Sequence, residues 1–465
     1  MREKSQIQLF AVCFLCSLVL FAADLSAKKR DVYPSMSRVE IQEVIDIASN
    51  HDTIIFHSGI YDFTDAPLLE RTANTGALTI NEKTLRIIGE PGNLIVGPDS
   101  ENPLTWEAMG ANAFSFVDLD FNNDINFEGL CIQNFMRGLS AGYTIGQPAD
   151  PDIVLPGCRN ITVQNCDFKD IHRDAVSCCD VQGNISIKRS SFSTIGRYAI
   201  ILNWGDILDA SFQPFNSFSH ITENTIIDSS NGMFVSAGSN VHIRKNIIDA
   251  YVYGIKFVSS IKGRNIISNS ISNCLIGIEL SGIWWNDYEW PTENMNVSNN
   301  QLSNIKYFGI MIDGGICHDN VIKNNEINMS SPGYAGVYSE GDNNQFIDNV
   351  VTGSGYFSFW LSSGDYSSSG GLLVYAHDEL IQGNVVKDFL AIASHYYLEE
   401  WTHDNKIIGS WEENICYTDL GYRNEIIGVY PCGSSTTSFQ SSENLQSLKF
   451  NQSAIARGTR ERIVK

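Results

Sequence analysis

The repeat Asn224-Thr-Ile-Ile-Asp-Ser-Ser-Asn-Gly-Met-Phe-Val235 decides the fold, because variants of it follow one another down the middle of the chain. Its first half recurs as Asn246-Ile-Ile-Asp, Asn269-Ser-Ile-Ser, Asn300-Gln-Leu-Ser, Asn325-Glu-Ile-Asn and Asn349-Val-Val-Thr, at steps of 22, 23, 31, 25 and 24 residues. Its second half recurs as Gly254-Ile-Lys-Phe, Gly277-Ile-Glu-Leu, Gly309-Ile-Met-Ile and Gly336-Val-Tyr-Ser. Short β-branched runs at this period, without helical spacing, indicate a stacked β-solenoid. We expect the repeated Asn residues to form a buried hydrogen-bonding column, which is a structural role.

The net charge of −22 on 465 residues limits the classes of partner. Nucleic acid and anionic membrane surfaces both require a basic face, so we expect neither as a partner. A chain of this length can bury a large core. The 37 Gly residues fit many short strands joined by tight turns.

The first residues predict export. Met1-Arg-Glu-Lys precede an apolar run from Ile7 to Ala23, and small residues follow up to Ala27. This pattern predicts a signal peptide over residues 1–27, and a secreted, periplasmic or cell-surface location. The alternative is an uncleaved membrane anchor. No other stretch could span a membrane, so we expect no stable span after signal removal.

The cysteines do not form a recognisable metal or disulfide pattern. Of 11 Cys residues, two lie in the predicted signal peptide, and the remaining odd number has no Cys-x-x-Cys spacing. This argues against a zinc site and against a full disulfide framework. One or two disulfides stay open in an oxidising compartment.

The N-terminal part carries a family resemblance. A helix predicted to start at Ser37 is followed by Asp52-Thr-Ile-Ile-Phe-His-Ser-Gly-Ile-Tyr, Leu85-Arg-Ile-Ile-Gly-Glu-Pro-Gly and Phe127-Glu-Gly-Leu-Cys-Ile-Gln-Asn. This order resembles the opening of right-handed parallel β-helix proteins of the pectin-lyase-like superfamily, over roughly residues 38–430. The resemblance implies an all-β, single-stranded right-handed parallel β-helix of about ten to twelve coils, with an N-terminal helix capping the first coil. We therefore divide the chain into signal peptide 1–27, β-helix 28–433, and a low-complexity, basic tail 434–465.

Insertions interrupt the repeat at one phase. Three of them, at 203–218, 282–292 and 362–377, directly follow the Gly-containing strand, and insertions at one phase of a solenoid lie on one flank. They are rich in aromatic residues: Trp204, Phe212, Phe215, Trp284, Trp285, Tyr288, Trp290 and Tyr366. Since flat rings stack on sugar faces, we expect Trp204, Trp284, Trp285 and Trp290 to bind a polysaccharide. The alternative is that these rings pack on the solenoid exterior.

The strand beside these insertions carries the first candidate site. Side chains alternate along a strand, so Lys256 and Glu279 should be outward-facing neighbours on adjacent coils. Tyr253, Asp313, Tyr338 and Glu340 should lie near them. Two chemistries fit. A uronate lyase or epimerase would use Lys256 with Tyr253 or Tyr338, and acidic residues holding Ca²⁺. A glycosidase would use two of Glu279, Asp313 and Glu340. The structural alternative is an exposed Lys–Glu pair.

A second candidate cluster is His172, Arg173 and Asp174, with Arg197 one coil further on. It could supply a base with its carboxylate partner and a carboxylate-binding arginine. The alternative is a turn stabilised by ion pairs. The chain has no Asn-Thr-Asp, Gly-His-Gly or Arg-Ile-Lys, the motifs of polygalacturonase-like hydrolases, and no Asp-Pro-His-Asp of alginate epimerases.

Two functional hypotheses remain open. The first is a secreted carbohydrate-active β-helix protein, lyase-, epimerase- or glycosidase-like, acting in a groove beside one parallel sheet. The second is a non-catalytic glycan-binding or cell-surface structural β-helix protein. The one-sided aromatic insertions favour the first, and the missing catalytic motifs favour the second. No cofactor other than Ca²⁺ is indicated.

Overall fold

The computed structural model describes most of the chain between Ala27 and Cys432. The described ranges are 27–66, 76–98, 112–117, 124–141, 160–179, 183–203, 218–236, 240–258, 264–285, 288–314, 316–361, 363–366, 372–375, 378–398, 402–408, 416–421, 423–427 and 429–432. Most of the predicted signal peptide and the whole predicted tail lie outside these ranges, so the proposed division of the chain stays a prediction. In the described residues, no helix is long and apolar enough to cross a membrane.

Within the described ranges, the first sheet contains fifteen strands, and every neighbouring pair in it is parallel. Its strands are Lys29–Val32, Thr53–Phe56, Leu85–Gly89, Asp124–Glu128, Asn160–Gln164, Ile185–Lys188, Ser219–Thr222, Val241–Arg244, Asn265–Ile267, Asn296–Ser298, Val321–Lys323, Gln345–Ile347, Leu380–Gln382, Lys406–Ile408 and Glu425–Ile427. Each strand pairs with the one from the next coil. The solenoid therefore has more coils than the ten to twelve that we expected, because coils at both ends lack the Asn–Gly repeat.

A second sheet of 21 strands contains two parallel series. The second strand series is Gly59–Asp62, Asn93–Val96, Cys131–Gln133, Asp167–Ile171, Ile247–Ala250, Ser270–Ser272 and Gln301–Ile305. The third strand series is Gly76–Asn81, Asn112–Val117, Arg137–Ala141, Asp174–Cys179, Tyr253–Val258, Ile276–Ser281, Phe308–Asp313, Cys416–Asp419 and Tyr430–Pro431. Five long strands join the two series, by pairing with strands of the series or with one another: Ser191–Asn203, Thr225–Ser236, Glu326–Ser339, Val350–Leu361 and Val385–Leu398.

Three short strand pairs complete the described secondary structure. Ile283–Trp285 pairs antiparallel with Tyr288–Trp290, and Ser363–Tyr366 pairs antiparallel with Leu372–Tyr375. Thr292–Glu293 pairs with Cys317–His318 in parallel. Both antiparallel hairpins lie in predicted insertions, and each leaves directly after a strand of the third series or a long strand.

The one helix in the described residues is Arg38–Asp46. Ser37 is its N-cap: the Ser37 side chain accepts a hydrogen bond from the Glu40 backbone N–H, and the Glu40 side chain accepts one from the Ser37 N–H. This reciprocal capping satisfies two backbone donors at the start of the helix. Ile41 and Ile45 are buried in the main core. That the helix covers the edge of the first coil stays a prediction.

The predicted asparagine column forms a continuous hydrogen-bonded ladder. The ladder members are Asn224, Asn246, Asn269, Asn300, Asn325, Asn349 and Asn384, all buried. At each of the first six, the backbone N–H and the side-chain NH₂ donate to Oδ1 of the next Asn, at 2.8–3.0 Å. The NH₂ group also donates to a main-chain carbonyl of an earlier coil. The residue before each of these six has a φ between 53° and 59°, so the ladder holds a turn with one left-handed residue.

The glycine of each repeat is required by close approach of the coils. A Cβ atom on Gly254 would lie 2.5 Å from the carbonyl oxygen of Gly277, and one on Gly277 would lie 2.5 Å from that of Gly309. These distances are too short for any side chain. The glycine column therefore lets the third series stack, and the residues around each glycine keep the same phase in every coil.

Candidate functional site

The third strand series brings Lys256 and Glu279 together. They are register partners on the neighbouring strands Tyr253–Val258 and Ile276–Ser281. Their flanking residues belong to the solenoid core, so the two charged side chains point the other way, outward. Lys256 Nζ lies 2.6 Å from Glu279 Oε1, with 18% and 3% of the side chains exposed. Both side chains therefore lie on the outer face of the sheet but are largely shielded from solvent. The pair thus differs from the exposed Lys–Glu pair that was the alternative to a functional site.

The acidic half of the site lies on the following coils. Ser281 is the register partner of Asp313, and its hydroxyl donates to Glu279 Oε1 at 2.6 Å. Glu340 directly follows the next strand, and its backbone N–H donates to the Ile312 carbonyl at 3.0 Å. The Tyr338 hydroxyl donates to Glu340 Oε1. Glu279, Asp313 and Glu340 thus lie on three successive coils, and the adjacent strands of successive coils are about 4.8 Å apart.

The charges of these residues act on one another. Burial raises the pKa of Asp313 well above its usual value, Glu340 and Glu279 raise it further, and Lys256 lowers it. Burial lowers the pKa of Lys256, but the charge and hydrogen bond of Glu279 outweigh this, so the pKa is raised. The site therefore holds a carboxyl group that stays protonated at higher pH than usual, and a lysine that stays charged.

Tyrosines border this site on the N-terminal side. The Lys256 ammonium lies 4.8 Å from the ring centroid of Tyr253. Burial raises the pKa of Tyr253, as do the charges of Glu279 and Asp313. Burial also raises the pKa of Tyr198 to about 12, against the lowering effect of Lys256 and Arg197. Both phenols are therefore protonated at neutral pH, where they can give up a proton but cannot act as a base.

An aromatic cluster borders the site on the C-terminal side, separate from the main core. Its buried members are Ile276, Phe308, Met311, Ala335, Tyr338, Phe357 and Trp360. Tyr338 packs edge-on against Trp360, with ring centroids 4.9 Å apart, and lies 5.1 Å from Phe308. Tyr338 thus joins the acidic residues to an apolar surface outside the solenoid.

The second predicted cluster also assembles, around Asp174. Arg197 binds the Asp174 carboxylate with two nitrogens, at 2.7 and 2.5 Å. Arg173 and Arg137 each place Nε 3.5 Å from the same carboxylate. Asp174 is fully buried, and although burial raises its pKa, the three arginines outweigh this and lower it. His172 is half-buried beside them, and its backbone N–H donates to the Phe135 carbonyl.

Two residues that link the clusters, Arg137 and Tyr198, were not among the site residues predicted from the sequence, although the repeat places Tyr198 at the same phase as Tyr253. Arg137, Asp174 and Tyr198 are successive register partners, each at the same phase of the third series. Arg137 directly precedes Gly138, so extending the glycine phase one coil backwards would have found it. Tyr198 lies between Arg197, 5.6 Å from its ring centroid, and Phe234 at 5.5 Å. The charged clusters are thus joined along one outward face.

The predicted aromatic wall is described in part. Trp284, Trp285 and Trp290 lie in the antiparallel hairpin that follows the strand bearing Glu279. At the end of this insertion, the Thr292 hydroxyl donates to the Ser281 carbonyl at 2.6 Å, so the hairpin leaves beside the acidic residues. Trp204 lies outside the described residues. Sugar binding by these four residues stays a prediction.

The acidic residues of this face raise the question of a bound cation. In the part of the chain that the structure describes, no group of three or more His, Cys, Asp or Glu side chains is arranged to hold a metal ion. Calcium binding by the acidic residues stays a prediction.

Comparison with known proteins bears on the fold. A family model for a right-handed β-helix region matches residues 215–371, which include the Asn–Gly repeat. Together with the three parallel strand series, this match decides the architecture. The chain is a right-handed parallel β-helix protein. No match was found among curated protein sequences.

Solved structures with the same architecture are distant. The A-module of the mannuronan C-5 epimerase AlgE4 from Azotobacter vinelandii has 14% identity and a TM-score of 0.48, covering 85% of this β-helix chain and 92% of its own. The Streptococcus pneumoniae surface adhesin PfbA has 11% identity and a TM-score of 0.45, covering 79% and 92%. The Agl-KA catalytic domain has 12% identity and a TM-score of 0.44, covering 78% and 68%. At this distance, the activities of those proteins are not transferred to this chain.

Proposed function

We propose that this β-helix protein is a carbohydrate-active enzyme of the glycosidase type, exported from the cytoplasm, with Glu279, Asp313 and Glu340 as its reacting carboxyl groups. The observation that carries the proposal is the placement of Asp313 on the coil between those of Glu279 and Glu340, where burial and these two carboxylates raise its pKa. Glycoside hydrolysis needs one carboxyl group that is protonated at working pH and a second that is ionised.

The roles follow from the surroundings of each group. Asp313 is the candidate general acid, because desolvation and its acidic neighbours favour its neutral form. Glu340 is the candidate ionised partner, because it accepts hydrogen bonds from the Tyr338 hydroxyl and, at 3.4 Å, from the Gly314 N–H. Glu279 is committed to Lys256 and Ser281, so we assign it to electrostatic support of the pair.

Elimination or epimerisation is less well supported by the same contacts. Both reactions need a base that takes a proton from the sugar ring. Lys256 has a raised pKa and Tyr253 has a raised pKa, so both hold their protons at neutral pH. Tyr253 could still donate a proton, but a base of matching strength would have to come from another residue.

The test is a polysaccharide panel assayed for new reducing ends and for the absorbance of unsaturated uronates. We expect reducing ends without the unsaturated product. Asp313→Asn and Glu340→Gln should each lower kcat by about 10²- to 10⁴-fold, the usual contribution of an acid or base. Glu425→Gln, which alters an exposed carboxylate of the last coils, is the matched control and should leave kcat unchanged. Unsaturated product, or full activity in both site variants, would overturn the proposal.

A non-catalytic glycan-binding protein is the second candidate. It is favoured by the burial of Glu340 and of the neighbouring aromatic cluster, which restricts access of a sugar ring to the carboxylates. It predicts glycan binding measured by calorimetry with no product from any polysaccharide, and binding that survives Asp313→Asn.

A further inference from the structure

A second hydrogen-bonded ladder runs through the C-terminal coils, and one of its members is not an asparagine. Asn320, Asn344, Asn405 and Asn424 repeat the geometry of the first ladder. Glu379 occupies the position between Asn344 and Asn405. Its Oε1 accepts from Asn344 Nδ2 at 2.9 Å, and its backbone N–H donates to Asn405 Oδ1 at 3.0 Å. A titratable group therefore stands where the pattern otherwise uses a neutral amide.

The presence of Glu instead of Asn at this ladder position leaves one side-chain oxygen without a hydrogen-bond partner among the described residues. Asn320 and Asn344 use their NH₂ groups to donate to main-chain carbonyls of earlier coils, at 3.0 and 3.1 Å. Glu379 presents Oε2 instead, and this buried atom has no hydrogen-bond partner among the described residues. A protonated carboxyl group has a hydrogen to donate, like the amide, and carries no charge. An ionised group would be a buried charge without a cation, which is costly.

Glu379 also contacts the strand next to the candidate site. The Ser339 hydroxyl donates to Glu379 Oε1 at 2.9 Å, and the Gly341 N–H donates to the Ser339 hydroxyl at 3.2 Å. Ser339 lies between Tyr338 and Glu340 in the chain. Glu379 is therefore linked, through the Ser339 hydroxyl, to the backbone segment that carries these two side chains.

We propose that Glu379 makes the order of the C-terminal coils depend on pH: its neutral form is compatible with the buried ladder and with an ordered segment 338–341, and its ionised form destabilises both. This pH dependence is a property of the fold, whichever reaction the protein performs. It would set an alkaline limit to the ordered state of this part of the β-helix.

The electrostatic surroundings agree with the geometry. Burial raises the pKa of Glu379 to about 8, against the lowering effect of hydrogen bonds from Asn344 and Ser339, and Asp342 raises it further. Among the residues that the structure describes, the other charged or titratable groups of this region are Asp378 beside it, Glu340 on the preceding coil, and His403, Asp404 and Lys406 on the following coil. His403 bonds Asp404, and the Lys406 N–H donates to the Glu379 carbonyl.

The sign of the pH dependence follows from linkage. Between the ordinary value of 4.5 and the folded value of about 8, the folded protein holds a proton that the unfolded chain has lost. Stability therefore falls as pH rises through this window, and levels off above it. The folding equilibrium constant should fall about tenfold per pH unit relative to a variant without this carboxyl group.

The test compares the full chain with Glu379→Gln, which keeps the shape and supplies an NH₂ donor. Thermal and urea unfolding from pH 5.5 to 9.5 should show that the wild type loses stability with pH relative to the variant. Glu425→Gln is the matched control: it also removes one carboxylate, but an exposed one paired with Lys406. It should parallel the wild type. His403 is kept in every variant, so its titration cancels from the comparison.

Two direct readouts complete the test. Infrared difference spectra between wild type and Glu379→Gln should show a protonated carboxyl band at pH 6 that is lost by pH 9. Hydrogen exchange at Gly341 and Lys406, corrected for intrinsic rates, should become less protected above pH 8 in the wild type alone. Parallel pH profiles of unfolding stability for the wild type and Glu379→Gln, or the absence of that infrared band at pH 6, would overturn the proposal.

Discussion

At the scale of single residues, the outer face places charged side chains where neighbouring groups shield them from solvent and bind them. Glu279 has almost no exposed surface and is held by the Lys256 ammonium and the Ser281 hydroxyl. A buried ion pair of this kind is expensive to break, because the remaining partner keeps its charge without compensation. Burial is also the main cause of the raised pKa of Asp313.

Removing the lysine alone should therefore destabilise the protein more than removing both members of the pair. We expect Lys256→Met to lower the free energy of unfolding at pH 7 by about 3–5 kcal/mol, as for other broken buried pairs. The double variant Lys256→Met, Glu279→Gln should recover most of this loss. Urea denaturation of the two variants and the wild type measures both values. Equal stability of the single variant and the wild type would show that Glu279 is solvated.

At the scale of elements, the coils are held in register by repeated polar contacts in a buried position. Each ladder Asn accepts hydrogen bonds at Oδ1 from the coil before it and donates from its NH₂ group to a main-chain carbonyl of an earlier coil, as Asn300 does with Asn269 and Ile266. Deleting one member leaves donors and acceptors on two neighbouring coils without partners. The cost per orphaned group is about 1–3 kcal/mol.

Asn300→Ala tests this estimate in the middle of the ladder. We expect a loss of about 2–4 kcal/mol, since the N–H of Asn269 and the Ile266 carbonyl lose their partners together. Gln301→Ala, on the exposed neighbour, is the matched control and should change stability by less than about 0.5 kcal/mol. Comparable losses in the two variants would contradict a special role for the ladder. Thermal unfolding followed by circular dichroism measures the difference.

At the scale of the whole molecule, the C-terminal coils carry a covalent link. Cys416, in the strand Cys416–Asp419, and Cys432, directly after the strand Tyr430–Pro431, form a disulfide with a sequence separation of 16. Such a link restricts the unfolded chain, and a loop of this size contributes about 3 kcal/mol in the chain-entropy description. A disulfide is also consistent with the proposed export.

Reduction should therefore loosen the solenoid from its C-terminal end. In a repeat protein each coil contacts only its neighbours, so loss of the last coils need not unfold the rest. We expect Cys416→Ser with Cys432→Ser to speed limited proteolysis at sites after residue 398, while the N-terminal fragment stays resistant. Mass spectrometry of early fragments locates the cuts. Early cleavage spread evenly along the chain would contradict local unfolding.

The sequence determined the repeat, and with it most of the architecture. The Asn and Gly phases predicted the ladder, the outward positions of Lys256 and Glu279, and the places of the insertions between coils, because a solenoid repeats its geometry with its sequence. The number of coils was underestimated where the Asn signal stops, since apolar strands alone can also stack. The resemblance of the N-terminal segments gave the same fold that the strand pairing shows.

The tertiary structure decided what the outward residues can do. Burial outside the core, as at Glu279 and in the cluster around Trp360, follows from packing against other coils and leaves no trace in the repeat. The convergence of Arg137, Arg173 and Arg197 on Asp174 joins residues from three coils. Glu379 illustrates the difference. Nothing in the sequence distinguishes it from any other Glu, and only the stacking of the coils places it in an asparagine ladder, where burying an ionised carboxylate is unfavourable. Side-chain direction is periodic and local, whereas desolvation depends on every neighbour.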